Sequence, residues 1–164
     1  MYKFNFLILI ITSVIPIITY QLWYNPSFLG RLWKLNSTNF EINNKRYSFW
    51  ATIFVLSFLY SVAMSYQVIH QLHFQSMLYN EVGFLKGEGT AFKDFEYINA
   101  SYKTSFRTFK HGMFHGFLNS IFVVLPVLVI SSFSSLKSWR EIIIDWGYWA
   151  ICGIFMGGVI CQFY

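Results

Sequence analysis

Four apolar runs divide this chain of 164 residues, and they restrict its possible folds more than any other feature. The runs cover about residues 4–24, 49–69, 113–133 and 139–163. Each is about 20 residues or longer, which is the length of a helix that crosses a bilayer. Because lipid offers no partner to an open backbone hydrogen bond, such segments must be helices. The sequence therefore predicts an all-α fold: a four-helix transmembrane bundle, in a single integral membrane domain over residues 1–164.

The composition supports a membrane protein and indicates which partners to expect. Charged residues make up 12% of the chain, whereas a typical soluble protein has about 25%. The formal net charge of +5 is explained by basic loops that meet anionic lipid headgroups. We therefore expect the lipid bilayer as one partner, and other membrane protein subunits or further copies of the chain as the others. Nucleic acid is not expected.

The segment of about residues 91–110, between the second and third runs, has a different pattern. Its apolar residues recur every three or four positions, and its charged residues fall largely elsewhere. The apolar stripe consists of Phe92, Phe95, Ile98, Tyr102, Phe106 and Phe109. This pattern predicts an additional amphipathic helix. The helix would lie on the membrane surface, continue directly into the third span, or pack on the end of the bundle.

Four histidines, His70, His73, His111 and His115, lie next to the second and third runs. Their spacing of three and four residues places each pair on one helix face. The segment that joins the two runs begins and ends on one side of the membrane, so all four are expected near one interface. Two such pairs can hold a metal ion, and a haem could take one axial histidine from each helix. The alternative is ordinary interfacial histidines with no cofactor, which is the simpler expectation.

Pairs of glycines four residues apart predict where helices approach closely. Gly112 and Gly116 form one pair, and Gly153 and Gly157 form the other. Such faces serve contacts within a bundle, in a homodimer or in a larger complex. If the first pair faces the second span, the two histidines next to these glycines lie near that contact but off its centre.

Asp145 is the acidic residue that lies well inside a predicted span, on the opposite side of the membrane from the histidines. An ionisable group there costs about 2.5–3.5 kcal/mol on insertion scales, so it requires an explanation. The residue lies about two turns into its helix, where it could pair with Arg140 or reach the turn at Tyr24 and Asn25. We favour a structural hydrogen bond or ion pair over a proton or ion relay.

The first run ends in a turn motif made of Tyr24, Asn25, Pro26, Gly30 and Trp33. The residue before a proline avoids the α conformation, so the helix must stop at Asn25. The aromatic and basic residues that follow are typical of an interfacial anchor.

Two stretches together resemble a known family, the domain of unknown function 1761. Trp23-Tyr-Asn-Pro-Ser-Phe-Leu-Gly-Arg-Leu-Trp33 is similar to its Trp-Tyr-x-Pro-x-x-Phe-Gly-x-x-Trp signature, with Leu29 at the usual phenylalanine. Asp145-Trp-Gly-Tyr-Trp149 and Met156-Gly-Gly158 resemble elements of its last helix, with Trp146 where a small residue is common. The resemblance implies a small four-helix protein of the bacterial cytoplasmic (inner) membrane, and it implies no activity.

The motifs leave three functions open. The sequence contains no nucleophile triad, phosphate loop, zinc-finger spacing or dinucleotide fingerprint, so we do not expect an enzyme. The leading hypothesis is a non-catalytic accessory or scaffold subunit of a membrane complex, or a homo-oligomer. The second is a small transporter or channel that uses Asp145. The third is a metal- or haem-binding protein that uses His70, His73, His111 and His115.

Overall fold

The structure is a computed structural model that describes residues 3–33, 41 and 45–164. Within this described part of the chain the secondary structure is helical and contains no strand, which confirms the predicted all-α class. The helices are α1 (Phe6–Ser13), α2 (Ile15–Trp23), α3 (Gly30–Trp33), α4 (Tyr47–Val68), α5 (His70–Met77), α6 (Thr90–Tyr102), α7 (Phe109–Asn119), α8 (Leu125–Ser135) and α9 (Trp139–Phe163).

Four helical segments are long and apolar enough to cross a membrane. They are Phe6–Trp23, Tyr47–Val68, Phe109–Ser135 and Trp139–Phe163. At most half of the residues in their apolar windows are buried inside the protein, so much of the apolar surface points outward. An outward apolar surface on all four helices is what a bilayer-embedded bundle requires. The four segments correspond to the four predicted apolar runs.

The boundaries around the third span differ from the predicted ones. Helix α7 begins at Phe109, four residues before the predicted start at Met113. The two histidines of this helix therefore lie in the first two turns of the span. The amphipathic helix α6 ends at Tyr102, so the predicted 91–110 segment does not continue directly into the span. A turn at residues 103–108 separates the two helices because Phe106 takes a left-handed backbone conformation, with φ of 60°.

The fourth span, α9, is the centre of the bundle and contacts α1, α2, α4, α7 and α8. Its closest neighbour is α7, because glycines face glycines across this contact. A β-carbon at Gly112 would overlap the carbonyl of Gly157, and one at Gly116 would overlap the carbonyl of Gly153. The predicted glycine pairs therefore pack against each other inside the chain. They do not face the second span.

Both internal prolines coincide with irregularities in their spans. The first span is divided at Val14, just before Pro16, whose carbonyl accepts a hydrogen bond from the Tyr148 hydroxyl at 3.0 Å. In the third span a π-helical segment, Ser120–Val124, precedes Pro126. The indole of Trp146 donates to the Ser120 carbonyl at 2.9 Å. Side chains of α9 thus donate hydrogen bonds to backbone carbonyls next to the distortions. In a helix embedded in lipid, such carbonyls need a partner within the protein.

The glycine contact predicts the effect of a single added methyl group. Alanine favours a helix over glycine by about 1 kcal/mol, so Gly116→Ala would stabilise an isolated helix. In this bundle we expect the substitution to destabilise the protein by about 1–3 kcal/mol, because α7 and α9 must move apart. Thermal unfolding of the purified protein measures this change.

Ala51→Leu is the matched control, since Ala51 lies on an exposed face of α4. It adds bulk without entering a helix contact, and we expect its melting temperature to stay near that of the parent. An unchanged or higher melting temperature for Gly116→Ala would contradict the assigned contact.

Candidate metal centre

Three histidine side chains converge where the second span ends and the third begins. The His111 Nε2 atom lies 3.0 Å from the His70 Nε2 atom and 3.0 Å from the His115 Nε2 atom. One nitrogen from each ring lies within 4.8 Å of the other two. Among the described residues these three form the group of donor side chains close enough to share an ion. We call this group the histidine cluster.

Two local features of the backbone bring the rings together. The Thr108 hydroxyl accepts a hydrogen bond from the His111 backbone N–H and so caps the start of α7, where His111 and His115 lie one turn apart. On the other side, α4 ends at Val68, and Ile69 has a non-helical conformation. His70 is then the first residue of the new helix α5. The glycines at 112 and 116 face α9, which leaves the neighbouring histidines free to face α5.

Phe106 lies against the histidine cluster and fixes its outer side. Its ring centroid is 5.1 Å from that of His111 and 6.0 Å from that of His70. A phenylalanine with positive φ is a strained conformation that surrounding contacts must hold. Gln71 supplies such contacts, because its side-chain N–H group donates to the carbonyls of Tyr102 and Ser105 at 3.0 and 3.1 Å. No sequence pattern indicates either role, since Phe106 falls in the predicted amphipathic stripe.

Partial removal of water favours the neutral form of the His70 ring. Removal of water lowers the pKa of His70, and the neighbouring His111 and His73 lower it further. A histidine with a lowered pKa carries no proton on one ring nitrogen at neutral pH. Such a nitrogen keeps its lone pair available, which is the state that binds a metal ion.

Hydrogen bonding alone accounts poorly for the cluster. Both short contacts use the same atom, the Nε2 of His111. This nitrogen has either one N–H or one lone pair, so it cannot make two full hydrogen bonds at once. A metal ion at the centre would instead accept all three lone pairs. Nitrogens bound to a tetrahedral zinc at about 2.0–2.1 Å lie about 3.3–3.4 Å apart. The two 3.0 Å contacts would widen slightly to reach this spacing, and the third pair of nitrogens already lies within 4.8 Å.

His73, the fourth predicted ligand, lies outside the cluster. Its ring stacks on Tyr66, with centroids 6.4 Å apart and an angle of 17° between the planes. The close approach of the other three also disfavours a haem, which the sequence left open as an alternative to a metal ion. Two axial nitrogens on opposite sides of an iron are separated by about 4 Å, with the porphyrin between them. The Nε2 atoms of His70 and His111 are only 3.0 Å apart.

Asp145 forms a separate polar contact at the other end of the bundle. One carboxylate oxygen accepts a hydrogen bond from the Tyr24 hydroxyl at 2.8 Å, as the predicted contact with the first turn requires. The other oxygen forms an ion pair with Lys137 Nζ at 2.6 Å. Lys137 thus takes the place predicted for Arg140, whose guanidinium donates to the Trp33 carbonyl. Burial and the nearby carboxylate raise the pKa of Tyr24, so its hydroxyl remains a donor.

The turn motif after the first span is held by its own backbone. The Asn25 carbonyl accepts hydrogen bonds from the N–H groups of Phe28 and Gly30 at 2.9 and 3.0 Å, and Pro26 lies within this turn. A β-carbon at Gly30 would lie 2.6 Å from the Asn25 oxygen, so only glycine fits. The Trp33 ring then packs on Trp23, with centroids 5.1 Å apart. This places Tyr24 where it reaches Asp145.

Comparison with known proteins identifies a family over nearly the whole chain. The model of a family described as "Protein of unknown function (DUF1761)" matches residues 7–161. The matched range includes nearly the whole of all four spans and every residue of the histidine cluster. No curated protein and no solved structure matches the chain significantly.

The contact between Tyr24 and Asp145 predicts a loss of stability on Tyr24→Phe. This substitution removes a hydrogen bond to a charged, mostly buried carboxylate, so we expect a loss of about 1–2 kcal/mol in the free energy of unfolding. Equilibrium unfolding of the purified protein measures the loss.

Tyr97→Phe provides the control, because the Tyr97 ring on α6 is 77% exposed. We expect this variant to match the parent. Equal stabilities for Tyr24→Phe and Tyr97→Phe would show that the hydroxyl of Tyr24 contributes nothing to the fold.

Proposed function

The chain belongs to the DUF1761 family, and from its geometry we propose that it is a membrane protein that binds one transition-metal ion. The ion would be held by the Nε2 atoms of His70, His111 and His115. A single observation carries the proposal: these three nitrogens, from two separate helices, meet within 4.8 Å. His70 lies 41 residues from His111 in the chain, so this convergence is a product of the tertiary fold.

The donor set indicates the class of metal. The group contains three imidazoles and neither a carboxylate nor a thiolate among the described residues. Imidazole nitrogen suits Zn²⁺, Cu²⁺, Ni²⁺ and Co²⁺, whereas Mg²⁺ and Ca²⁺ prefer oxygen ligands. We therefore propose a divalent ion of the zinc and late first-row type.

The position of the cluster allows an ion to reach it from water. His70 is exposed, and His111 and His115 are half-buried. His111 lies only two residues after the start of its apolar helix, so the cluster is near one membrane interface. The ion would thus enter from one aqueous side without crossing the lipid.

The geometry supports the accessory-subunit and transporter hypotheses less well than the metal-binding one. The accessory-subunit or homo-oligomer role was motivated by glycine faces, and these faces pack on each other within the chain. The transporter role was motivated by Asp145, and both carboxylate oxygens already have partners in Tyr24 and Lys137. Both roles, the absence of catalysis and the location in a bacterial inner membrane stay predictions.

Metal titration tests the proposal. The purified protein, stripped with a chelator, is expected to bind one equivalent of Co²⁺ or Zn²⁺ per chain. Co²⁺ bound by three imidazoles should give visible d–d absorption bands, because coordination by nitrogen changes its spectrum from that of the hydrated ion. Elemental analysis after gel filtration measures the stoichiometry.

Two matched substitutions identify the ligands. His111→Ala removes the central nitrogen. Loss of a group that only orients a metal ligand costs about 10–100-fold in affinity, so loss of a ligand itself should weaken binding by at least the upper end of that range. His73→Ala removes a nearby histidine that stacks on Tyr66 instead, and it should bind as the parent does. Equal affinities in these two variants, or no stoichiometric binding by the parent, would refute the metal centre.

A further inference from the structure

A cavity of about 240 Å³ lies beside the histidine cluster, between helices α5 and α6. Its walls are mainly apolar and include four aromatic rings. The residues that form most of the wall are His70, Phe74, Phe95, Ile98, Tyr102 and Phe106. A cavity of about 150 Å³ holds one benzene molecule, so this one has room for an aromatic ring with a substituent.

The cavity and the histidine cluster share the side chain of His70, and Phe106 contacts both. His70 contributes a ring nitrogen to the cluster and also lines the cavity. Phe106 lines the cavity too, and its ring packs on the rings of His70 and His111. A molecule in the cavity would therefore contact the ring of His70, which is one of the proposed ligands of the ion.

The cluster offers an ion fewer ligands than it needs. Three protein nitrogens form the group, and no fourth histidine, cysteine, aspartate or glutamate among the described residues lies within the same distance. A tetrahedral ion with three protein ligands keeps one position open for water or another molecule. The cavity adjoins this centre.

We propose that the open position binds a small aromatic molecule that carries one nitrogen or oxygen donor, with the aromatic body in the cavity. The inference rests on the proposed metal-binding function and names the ligand class of that site. Aromatic walls favour an aromatic guest, because offset and edge-to-face ring contacts add to the burial of apolar surface. The donor atom would bind the metal and orient the ring.

The exposed side of the cavity indicates that its ligand comes from the membrane interface. Tyr102 and Phe106 line the cavity and are 60% and 65% exposed. Both belong to the segment that immediately precedes the third span. Amphiphilic aromatic molecules concentrate at this depth of a bilayer, so the cavity would receive its ligand from there.

A pair of probe molecules tests the proposal on the full chain, loaded with Co²⁺ in lipid nanodiscs. Imidazole and 4-phenylimidazole share the ring that supplies the donor nitrogen, and only the second carries a phenyl group that would enter the cavity. Titration monitored by the Co²⁺ d–d bands gives the two dissociation constants. We expect 4-phenylimidazole to bind at least about 10-fold tighter, because its phenyl group leaves water for an apolar site.

The variant Ile98→Trp fills the cavity and serves as the comparison. Ile98 lines the cavity and is outside the histidine cluster, so the Co²⁺ bands and the affinity for imidazole should remain. The preference for 4-phenylimidazole should fall by about 10-fold relative to the parent. Some probe dissolves in the lipid and lowers the free concentration. This loss is the same for both proteins, so it cancels when their preferences are compared.

The outcomes separate the two proposals. If the parent binds Co²⁺ but shows the same preference as Ile98→Trp, the cavity ligand is refuted while the metal centre stands. If neither protein gives Co²⁺ bands, the metal centre is refuted and the cavity ligand with it. If Ile98→Trp alone loses the bands, the more conservative Ile98→Phe, which also reduces the cavity, replaces it under the same criterion.

Discussion

The backbone contact between the third and fourth spans is the interaction on which the rest of the structure depends. Helices α7 and α9 touch through Gly112 against Gly157 and Gly116 against Gly153, with no room for a side chain between them. In lipid, where apolar side chains gain little from leaving the solvent, such close packing is a main source of helix association. It also sets the rotation of α7, and this rotation turns His111 and His115 towards α5.

Interruptions of the helices then place the remaining groups of the site. The break at Ile69 makes His70 the first residue of α5. Beside His70, Phe106 takes a left-handed conformation in the turn that connects α6 and α7. Neither residue could keep its conformation within a continuous helix. The proposed metal centre therefore combines a rigid pair of ligands on α7 with a third ligand at a helix junction. Gln71, next to His70, holds that junction through the carbonyls of Tyr102, at the end of α6, and Ser105, in the turn.

The opposite end of the bundle has a different role. Tyr24 and Lys137 occupy both oxygens of Asp145, so the acid of the fourth span fastens the ends of the first and third spans. A charged group in a span is costly unless it is paired. The turn after the first span supports this pairing. It needs Gly30 because the chain turns tightly there, and this turn brings Tyr24 and Trp33 against α9. The two polar sites thus lie at opposite ends of one helix contact.

The sequence by itself determined the apolar spans and the glycine faces, and it offered the first turn as one of two partners for Asp145. The spans and the glycine faces follow from composition and short-range spacing, which do not depend on which helices become neighbours. Only the tertiary structure decided that the glycines face α9, that His70 joins the cluster while His73 stacks on Tyr66, and that Lys137 replaces Arg140. Each of these depends on the rotation of a helix about its axis or on a break such as the one at Phe106. Periodicity identifies the faces of a helix, but the identity of the neighbour on each face is set by packing between segments that are distant in the chain.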